Sequence, residues 1–475
     1  MPQKIRTEKL SDDDVTRLLE MKESCLMDKK GKNIMPAKLS KTVSAFANNM
    51  GGEIYLGISS SNDKQSYFWD GFLSQEEANQ HIEIIDTVVG NFDDYDIVEY
   101  SNEQHETVIF HITIHKTSRV IYASDGIPYC RISAQNKPFN SPENLRRLEL
   151  DKGITSYENE LTQCKFDDIK ESVALKTFIS QVVPASTAYK WLRKQQVMSS
   201  DTKISVAGVL LYDDNPATTL PKRSSIRIVR YHTDENEGTR ETLASGFPVS
   251  MEGDVYTLIK ETVKKVVSIV ESTDVVGTTK IEGKKYPEVA LHEIITNAVL
   301  HRDYSILTDI QIRIFTNRIE VESPGRLPGH ITIENILKEQ LSRNGKIVNL
   351  ISKFPNPPNK DVGEGLNTAF AAMLEMQLKK PLIRENEKSV LVIIKHERLA
   401  DAETLVLEYL ETNPSINNST ARSLTGISDA NKMKRVFNRL KDRDILERVP
   451  GKNSSSSEWR LKKRGSQNNE QLSLF

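Results

Sequence analysis

The sequence predicts an α+β protein with three folded domains and a short C-terminal tail. A chain of 475 residues is too long for one hydrophobic core and favours several domains. A helix followed by paired glycines and a buried strand lies near residue 50, an amphipathic helix lies near residue 295, and short helices dominate after Asp401. We therefore expect domains at residues 1–150, 151–397 and 398–463, followed by a flexible tail at 464–475.

The composition is that of an ordinary globular protein, with 37% hydrophobic and 27% charged residues. The formal net charge is −2, so any affinity for nucleic acid has to come from local basic patches. Three widely spaced cysteines predict neither a disulfide framework nor a zinc site and favour a reducing compartment. No apolar segment approaches the length of about 18 residues that a membrane span needs. We expect a soluble, cytoplasmic protein.

The first structural unit lies around the glycine pair Gly51-Gly52. Before this pair, the segment from Lys41 to Asn49 has an apolar face that includes Val43 and Phe46, which is typical of a helix. After the pair, Ile54 to Ile58 has the composition of a buried strand. Glycine can adopt positive φ, which an abrupt turn from a helix into a strand requires.

Three segments near the N terminus together resemble the AlbA-type domain of Schlafen proteins. They are Leu18 to Lys22, Lys41 to Ile58, and Val120 to Ser133, within a match over about residues 10–145. In this resemblance the first segment corresponds to a strand and the third to a closing hairpin. The resemblance implies binding to DNA or RNA, with Lys22, Lys41 and Arg131 as candidate phosphate contacts, although each is also typical of an ordinary surface.

Some Schlafen proteins cut nucleic acid with three carboxylates that hold divalent metal ions. Glu20 fits one of these positions as a possible nuclease remnant. Val15 stands where a second acidic residue is expected, five places earlier, and Ser59 or Ser60 stands at the third position. We therefore expect this domain to bind nucleic acid or a partner rather than to cut.

The segment from Tyr286 to Tyr304 predicts an amphipathic helix with polar groups at unusual places. Its buried face is formed by apolar residues at helical spacing, namely Ala290, Ile294, Ile295, Ala298 and Val299. Glu293 and Asn297 are four residues apart, so their side chains lie on one face. An amide oxygen beside a carboxylate suits Mg²⁺ and an activated water, although such pairs also occur on ordinary surface helices.

Residues Pro287 to Tyr304 also look like the N-box of bacterial GHKL-type ATP-binding domains, in the subgroup similar to the RecG C terminus. Further motifs follow in the order of that family, namely Ser323-Pro324-Gly325, Leu341-Ser-Arg343-Asn344 and Gly363-Glu364-Gly365. Residues 205–212 and 226–231 are similar to the strands that precede the ATP fold, so the resemblance covers most of residues 155–395.

The GHKL resemblance implies a site for ATP and Mg²⁺. Glu293 corresponds to the catalytic residue that activates the attacking water, and Asn297 corresponds to the Mg²⁺ ligand. The other candidate nucleotide-binding residues are Arg302, Asp303, Gly325, Arg343, Asn344, Gly363 and Gly365.

The chain departs from the GHKL pattern at the strand that reads the adenine. The family usually has an Asp-x-Gly there, whereas this chain has Glu322-Ser323-Pro324-Gly325, with no Asp two residues before the glycine. Glu322 or a water molecule would have to substitute. We therefore expect nucleotide binding with slow hydrolysis at most.

From Asp401 onward the element order predicts a winged helix. Helices are expected at residues 402–411, 418–424 and 429–441, followed by a wing over residues 445–461. The third helix carries the basic residues Lys432, Lys434, Arg435 and Arg439, which suit phosphates and base edges in a major groove. The alternative is a winged helix used for dimerisation or protein docking.

The last five residues resemble the peptide by which bacterial replication and repair proteins bind the DNA sliding clamp. Gln471 corresponds to the polar anchor, and Leu472, Leu474 and Phe475 correspond to the apolar residues that fill a pocket on the clamp. The alternative for so short a segment is a frayed terminus.

Together the resemblances imply an ATP-binding, DNA-binding regulator or sensor, in transcription or phage defence, that docks on the sliding clamp and forms a homo-oligomer. One alternative is an ATP-gated, metal-dependent nuclease of the Schlafen type. The other is a non-enzymatic adaptor tethered to the clamp.

Overall fold

The structure, a computed structural model, describes residues 5–61, 66–220, 224–271, 274–275, 282–283, 286–359, 365–376, 378–397, 402–425, 427, 429–449 and 457–462. We call residues 5–152 the N-terminal region, 153–397 the middle region and 402–462 the C-terminal region. None of the described helices combines the length and apolar character needed to cross a lipid bilayer.

The N-terminal region is built on a five-stranded sheet. Its elements are β1 (Arg6–Lys9), α1 (Asp12–Glu20), β2 (Met27–Lys30), α2 (Pro36–Ala47), β3 (Gly52–Leu56), β4 (Ile58–Ser60), β5 (Tyr67–Trp69), α3 (Gln75–Val89), β6 (Tyr95–Asn102), β7 (His105–Ile114), β8 (Tyr129–Ile132), β9 (Gln135–Pro138) and α4 (Pro142–Lys152). The strand order is β1-β6-β7-β3-β2, in which β1 and β6 pair in parallel, as do β2 and β3. Helices α2 and α3 contact each other, and their apolar side chains form one core with the sheet.

The helix and strand predicted around the glycine pair are confirmed as α2 and β3. Gly51 in the connecting turn has φ of +81°, and a Cβ at that position would lie 2.7 Å from the carbonyl oxygen of Ile114. At Gly52 a Cβ would lie 2.5 Å from Cδ1 of Phe46. Both positions therefore require glycine, one for its conformation and both for lack of space.

Two assignments made from the Schlafen resemblance are displaced along the chain. Leu18 to Glu20 ends helix α1, and the strand of this part of the sheet is β2. Helix α1 begins with a capping box in which Ser11 Oγ accepts a hydrogen bond from the Asp14 amide, so the local sequence favours a helix. The closing hairpin expected at residues 120–133 is formed by β8 and β9.

The middle region contains a six-stranded mixed sheet and the helices packed against it. Its elements are β10 (Leu161–Lys165), α5 (Phe166–Ile169), α6 (Val173–Val182), α7 (Ala188–Lys194), β11 (Lys203–Ser205), α8 (Val206–Tyr212), α9 (Pro216–Thr219), β12 (Ile226–Arg230), β13 (Val249–Met251), α10 (Val255–Glu271), β14 (Asp274–Val275), β15 (Glu282–Gly283), α11 (Glu288–Leu300), β16 (Ile310–Ile314), β17 (Arg318–Pro324), α12 (Gly345–Ile351), α13 (Gly365–Glu375), β18 (Leu382–Glu385) and β19 (Ser389–Lys395). The strand order is β13-β12-β16-β17-β19-β18, and α11 contacts α10, α13 and β17.

The prediction of a strand at residues 205–212 is wrong. Val206–Tyr212 is helix α8, whose seven residues are all buried, and Ser205 Oγ caps it by accepting a hydrogen bond from the Gly208 amide. An apolar run without polar positions has no visible period, so its spacing cannot separate a buried strand from a buried helix.

The C-terminal region has its own small core. Its elements are α14 (Ala402–Thr412), β20 (Ile416–Asn417), α15 (Asn418–Thr425), α16 (Ala430–Asp442), β21 (Leu446–Arg448) and β22 (Glu458–Leu461). The three strands pair in the order β20-β22-β21, and Val406, Leu410, Phe437 and Trp459 are buried together. The three helices predicted from the sequence are confirmed within one residue at each end.

Candidate functional site

A cavity of about 700 Å³ opens in the middle region between α11, α13 and the sheet. Side chains of β17, β18 and β19 give it an apolar wall that includes Val321, Ile383, Val390 and Val392. The rest of its lining includes polar side chains of α11 and of the segments around residues 325–328 and 339–342. An apolar wall with a few polar groups is typical of a small-molecule site.

Glu293 and Asn297 of α11 meet Gly365, the first residue of α13, at this cavity. A Cβ on Gly365 would lie 2.5 Å from Glu293 Oε2 and 3.6 Å from Asn297 Nδ2, so the missing side chain leaves room for both polar groups. Three predicted site residues from two separate motifs are thus brought together. Gly363, the other glycine predicted to approach phosphates, lies outside the described residues.

Gly325 also lines the cavity, but its neighbours explain why it is a glycine. Its φ is +103°, and a Cβ would lie 2.6 Å from the Cβ of Asp303. Its amide donates a hydrogen bond to the carbonyl oxygen of Lys388. The glycine therefore permits close packing of the loop that follows β17 against the loop that follows α11.

Asp303 and Arg343 form a buried ion pair beside the cavity, and neither is among the described residues that line it. Arg343 Nη1 lies 3.3 Å from Asp303 Oδ2, and Arg147 Nη2 of α4 lies 2.8 Å from the same oxygen. Burial alone would raise the pKa of Asp303, but the two guanidinium groups lower it below its ordinary value. The group joins α4 to the middle region, so contacts cross the boundary predicted at residue 150.

Arg302 and Asn344 likewise hold backbone groups near the end of α11. Arg302 is buried and donates to the carbonyl oxygen of Thr308 at 2.8 Å. Asn344 Nδ2 donates to the carbonyl oxygens of Leu300 and Arg302 at 2.9 and 2.8 Å. Direct nucleotide contact by Arg302, Asp303, Arg343 and Asn344 stays a prediction, whereas the geometry assigns them a supporting role.

His301 lines the cavity at the C-terminal end of α11. Burial and the nearby Arg343 guanidinium lower the pKa of His301 to about 4, so the imidazole is neutral at pH 7. A neutral imidazole can donate and accept one hydrogen bond each. The sequence motif contained this residue, but spacing alone gave no reason to assign it to the cavity.

Three polar atoms of the cavity lining are buried and lack a hydrogen-bond partner among the described residues. They are Ser342 Oγ, Asn359 Oδ1 and Arg326 Nη2. A buried donor or acceptor without a partner costs about 1–3 kcal/mol. A bound polar ligand offers these atoms the missing partners.

Glu322 does not replace the absent adenine-reading carboxylate. Successive strand residues face opposite sides of a sheet, and Val321 and Ser323 are the residues of β17 that line the cavity on either side of Glu322. Glu322 instead accepts hydrogen bonds from Arg313 at 2.8 Å and Ser389 at 2.6 Å. Of the two substitutes considered, only the water molecule remains compatible with this arrangement.

The fit to Mg²⁺ depends on Asn297 and Glu293. Among the described residues there is no group of three or more His, Cys, Asp or Glu side chains that could hold a metal ion. Mg²⁺ commonly takes one or two protein oxygens and completes its shell with phosphates and water. The residues present therefore suit an ion that enters with a nucleotide better than a resident one.

The carboxylates of the N-terminal region lie at different positions from those expected. Glu20 is exposed at the end of α1, and Val15 is buried in an apolar cluster. The interval of five residues between acidic side chains exists instead between Glu23 and Asp28. Burial and the Asp28 carboxyl group raise the pKa of Glu23. This pair was missed because β2 begins at Met27, nine residues after Leu18, where the segment that the resemblance assigned to a strand begins.

The charge of Asp28 is matched within the protein. Its Oδ2 lies 2.7 Å from Lys30 Nζ and 3.3 Å from Arg131 Nη1. Arg131 is buried and also donates to the carbonyl oxygen of Ser24 at 3.0 Å. The phosphate contact by Arg131 stays a prediction, and it would require the guanidinium to leave this buried ion pair.

The other two candidate phosphate contacts remain accessible. Lys22 is exposed just after α1. Lys41 Nζ lies 3.0 Å from Asp125 Oδ2, and its side chain is 37% exposed. Only Lys22 thus presents a charge that is not matched by a described carboxylate within 4 Å.

The basic helix of the C-terminal region is α16. Its residues Lys432, Lys434 and Arg435 are exposed, whereas Met433 and Val436 face the core. Arg439 is exposed as well, but its Nε donates to Glu403 of α14 at 2.6 Å. The predicted clamp-binding residues Gln471, Leu472, Leu474 and Phe475 lie outside the described residues.

Comparisons with known proteins agree with two of the three domain resemblances. Residues 16–140 match the family model described as Schlafen, AlbA_2, and residues 308–394 match the one described as putative ATP-dependent DNA helicase recG C-terminal. The second match includes Gly325, Arg343 and Gly365 but begins after α11. No curated protein matches the chain.

Among solved structures, the DIP2311 protein from Corynebacterium diphtheriae aligns with 18% identity over 92% of both chains, at a TM-score of 0.43. A similarity of this level supports no statement about activity. The two matched segments include strands of the two large sheets, so each family model identifies the type of one domain. The chain combines a Schlafen AlbA_2 domain with an ATPase-like domain of the RecG C-terminal type.

Proposed function

We propose that the protein binds ATP in the cavity of the middle region and binds DNA through its outer regions. The observation that carries the first part is the meeting of Glu293, Asn297 and Gly365 at a cavity. Three further lining residues, Ser342, Asn359 and Arg326, each have a buried polar atom without a partner among the described residues. The Schlafen AlbA_2 match supports the second part. Glu293 would orient a water molecule, and Asn297 would hold Mg²⁺ beside the phosphates.

Slow turnover is expected, because no described carboxylate reads the adenine from β17. Binding of a fluorescent ATP analogue and phosphate release, each with Mg²⁺, test this proposal in the wild-type chain and in Glu293→Gln. We expect the variant to retain binding within about threefold and to lose hydrolysis by about 100-fold, as removal of a general base does. Glu288→Gln, on the exposed first turn of the same helix, is the matched control. Absence of ATP binding to the wild-type chain would refute the proposal.

For DNA we propose that the C-terminal region is a winged helix and that α16 enters the major groove. The exposed cations Lys432, Lys434 and Arg435 support this orientation. If each contacts one phosphate, replacing all three with alanine lowers the slope of log affinity against log salt by about 3. Arg439→Ala, which removes a cation already paired with Glu403, should change the slope less. A slope unchanged in the triple variant would favour protein docking instead.

We further propose a role as a regulator or sensor in transcription or phage defence, with docking on the sliding clamp through residues 471–475. Loop closure over nucleotide commonly accompanies dimerisation, so we expect a homo-oligomer. Deletion of residues 471–475 should abolish capture of the protein by immobilised clamp. Undiminished capture would remove the clamp from the proposal.

The nuclease is the second candidate, because Glu23 and Asp28 have the spacing that the family resemblance requires. Its weakness is that Asp28 is already neutralised by Lys30 and Arg131. Cleavage of single-stranded RNA or DNA with Mn²⁺ that disappears in Asp28→Asn would favour it. A chain that binds no nucleotide and cuts nothing, but binds the clamp, would be the adaptor.

A further inference from the structure

The wall of the cavity from Arg326 to Ile331 is held by the N-terminal region as well as by its own sheet. Lys116, just after β7, donates to the carbonyl oxygens of Leu327 and Ile331 at 2.7 and 3.0 Å. Both of these wall residues line the cavity. Lys116 is almost completely buried, with 4% of its side chain exposed, so this contact lies in the interior.

Arg326, at the start of this wall, contacts both the sheet and the N-terminal region. Its Nε donates to Glu385 Oε1 at 3.1 Å, and its Nη1 donates to Asn49 Oδ1, just after α2. Arg326 lines the cavity, and its Nη2 is buried with no partner among the described residues. The guanidinium of a residue that lines the cavity therefore contacts both the sheet edge and the N-terminal region.

The charges around Arg326 favour an anion. Glu385 lies 3.1 Å from Arg326 and 3.7 Å from Lys116, so two buried cations share one carboxylate. Burial lowers the pKa of Lys116 to about 8, and the nearby Arg326 charge contributes to this shift. An anionic oxygen at Arg326 Nη2 would relieve the excess positive charge and complete the guanidinium's hydrogen bonds.

Asn49 extends the contact into the N-terminal region. Its Nδ2 donates to the carbonyl oxygen of Arg131 at 2.7 Å, and Arg131 holds Asp28 on β2. Hydrogen bonds therefore run from the cavity through Arg326, Asn49 and Arg131 to Asp28, with the backbone of β8 as one link. A change in the position of the guanidinium would therefore alter hydrogen bonds within the Schlafen-type domain.

We propose that Arg326 binds a phosphate group of the nucleotide through Nη2 and transmits occupancy of the cavity to the N-terminal region through Asn49. This inference rests on the proposed function and deepens it, because it names the phosphate-binding residue and the domain that responds. Asn49 is a positioning residue in this scheme, since it does not line the cavity.

The test combines calorimetry with hydrogen exchange on the full chain, using a non-hydrolysable ATP analogue and adenosine. In Arg326→Ala we expect affinity for the ATP analogue to fall about 10- to 100-fold, while affinity for adenosine changes less than threefold. Arg326→Gln keeps a donor for Asn49 and should show the same selective loss if the alanine variant folds poorly. Arg384→Ala, an exposed arginine on the same strand as Glu385, should bind both ligands as the wild type does.

Hydrogen exchange tests the coupling. In the wild type, saturation with the ATP analogue should slow exchange in residues 46–56 and 129–132. Asn49→Ala, compared at saturating analogue, should lose the slowing at residues 129–132. Slowing equal to that of the wild type would overturn the coupling. Equal affinity for the analogue in the wild type and both Arg326 variants overturns the inference alone. No binding of either ligand to the wild type overturns the proposed function and the inference together.

Discussion

The cavity of the middle region and the charged cluster around Asp28 both contain buried polar side chains. They differ in whether the charges of these side chains are matched inside the protein. In the cluster, Lys30 and Arg131 both approach Asp28 Oδ2, so the carboxylate charge is matched by two cations, while Asp28 Oδ1 is buried without a hydrogen-bond partner among the described residues. At the cavity, about 700 Å³ of space is lined by residues that include Ser342, Asn359 and Arg326, and each of these three has a buried polar atom without a partner among the described residues.

This difference separates two uses of buried polarity. A charge that is matched inside the protein adds specificity to the fold, and it cannot bind a ligand unless the internal pair is first broken. A buried polar atom without a partner, in a residue that lines a cavity, carries a free-energy cost that a ligand can remove by supplying a hydrogen bond. The comparison predicts that substitutions in the cluster change stability and that substitutions at the cavity change affinity.

The largest expected effect is that of Arg131→Ala on stability. The substitution leaves the Asp28 carboxylate, which is 1% exposed, with Lys30 as its remaining cation. Breaking a buried pair in this way costs about 3–5 kcal/mol of unfolding free energy. Urea denaturation measures the loss, and Lys22→Ala at an exposed site should cost less than about 0.5 kcal/mol. A stable Arg131→Ala protein that only loses nucleic-acid affinity would return Arg131 to the binding surface.

A smaller effect is expected from the protonation of His301. Its pKa of about 4 in the folded chain lies below the ordinary value of 6.5, so the unfolded chain takes up a proton first as the pH falls. Stability is therefore lost between about pH 6.5 and 4. Between pH 7 and 5 this loss amounts to about 2 kcal/mol by linkage. His301→Gln should remove that part of the pH dependence, measured by urea denaturation at both pH values. An unchanged dependence would show that the cavity leaves the ring open to water.

Gly365→Ala tests whether the cavity binds nucleotide. We expect the variant to bind nucleotide about tenfold more weakly, which is equivalent to roughly 1.4 kcal/mol. The new Cβ would meet Glu293 Oε2 at 2.5 Å, so the flexible carboxylate must move into the space for the ligand. Stability should change by less than about 1 kcal/mol. Gly345→Ala is the matched control, because it also begins a helix and its Cβ would meet nothing within 4 Å. Equal losses of nucleotide affinity in the two variants would show that Gly365 has no specific role in nucleotide binding.

The parts of this comparison that could be predicted from sequence are those with a local period. The four-residue interval of Glu293 and Asn297, the glycine pair before β3 and the apolar spacing of α16 all depend on neighbours within one element. The GHKL resemblance also predicted Glu293, Asn297 and Gly365 as residues of one nucleotide site.

The parts that could not be predicted depend on contacts between distant segments. Arg131 is typical of a surface strand until Asp28, which lies 103 residues earlier, approaches it in the folded chain. Asp303 and Arg343 belong to nucleotide motifs, yet Arg147 of α4 draws them into an ion-pair cluster. Burial of a charge is a property of the assembled fold, so motif positions alone assign such residues to ligands too readily.

The smallest expected effect separates a retained metal site from a purely structural cluster. Burial and Asp28 raise the pKa of Glu23 above its ordinary value of 4.5, so this carboxyl group stabilises the fold below that pH and the contribution is lost as the pH rises through the raised pKa. At pH 7 Glu23→Gln should therefore be as stable as the wild type or more stable by less than about 1 kcal/mol, and Glu20→Gln should be neutral.

Thermal unfolding with and without Mn²⁺ completes the test. If the cluster is structural, Mn²⁺ leaves the melting temperature of all three proteins unchanged. Stabilisation of the wild type by Mn²⁺ that disappears in Glu23→Gln but persists in Glu20→Gln would mean that a metal ion can displace Lys30 and Arg131 from Asp28, and the distinction between the two regions would no longer hold.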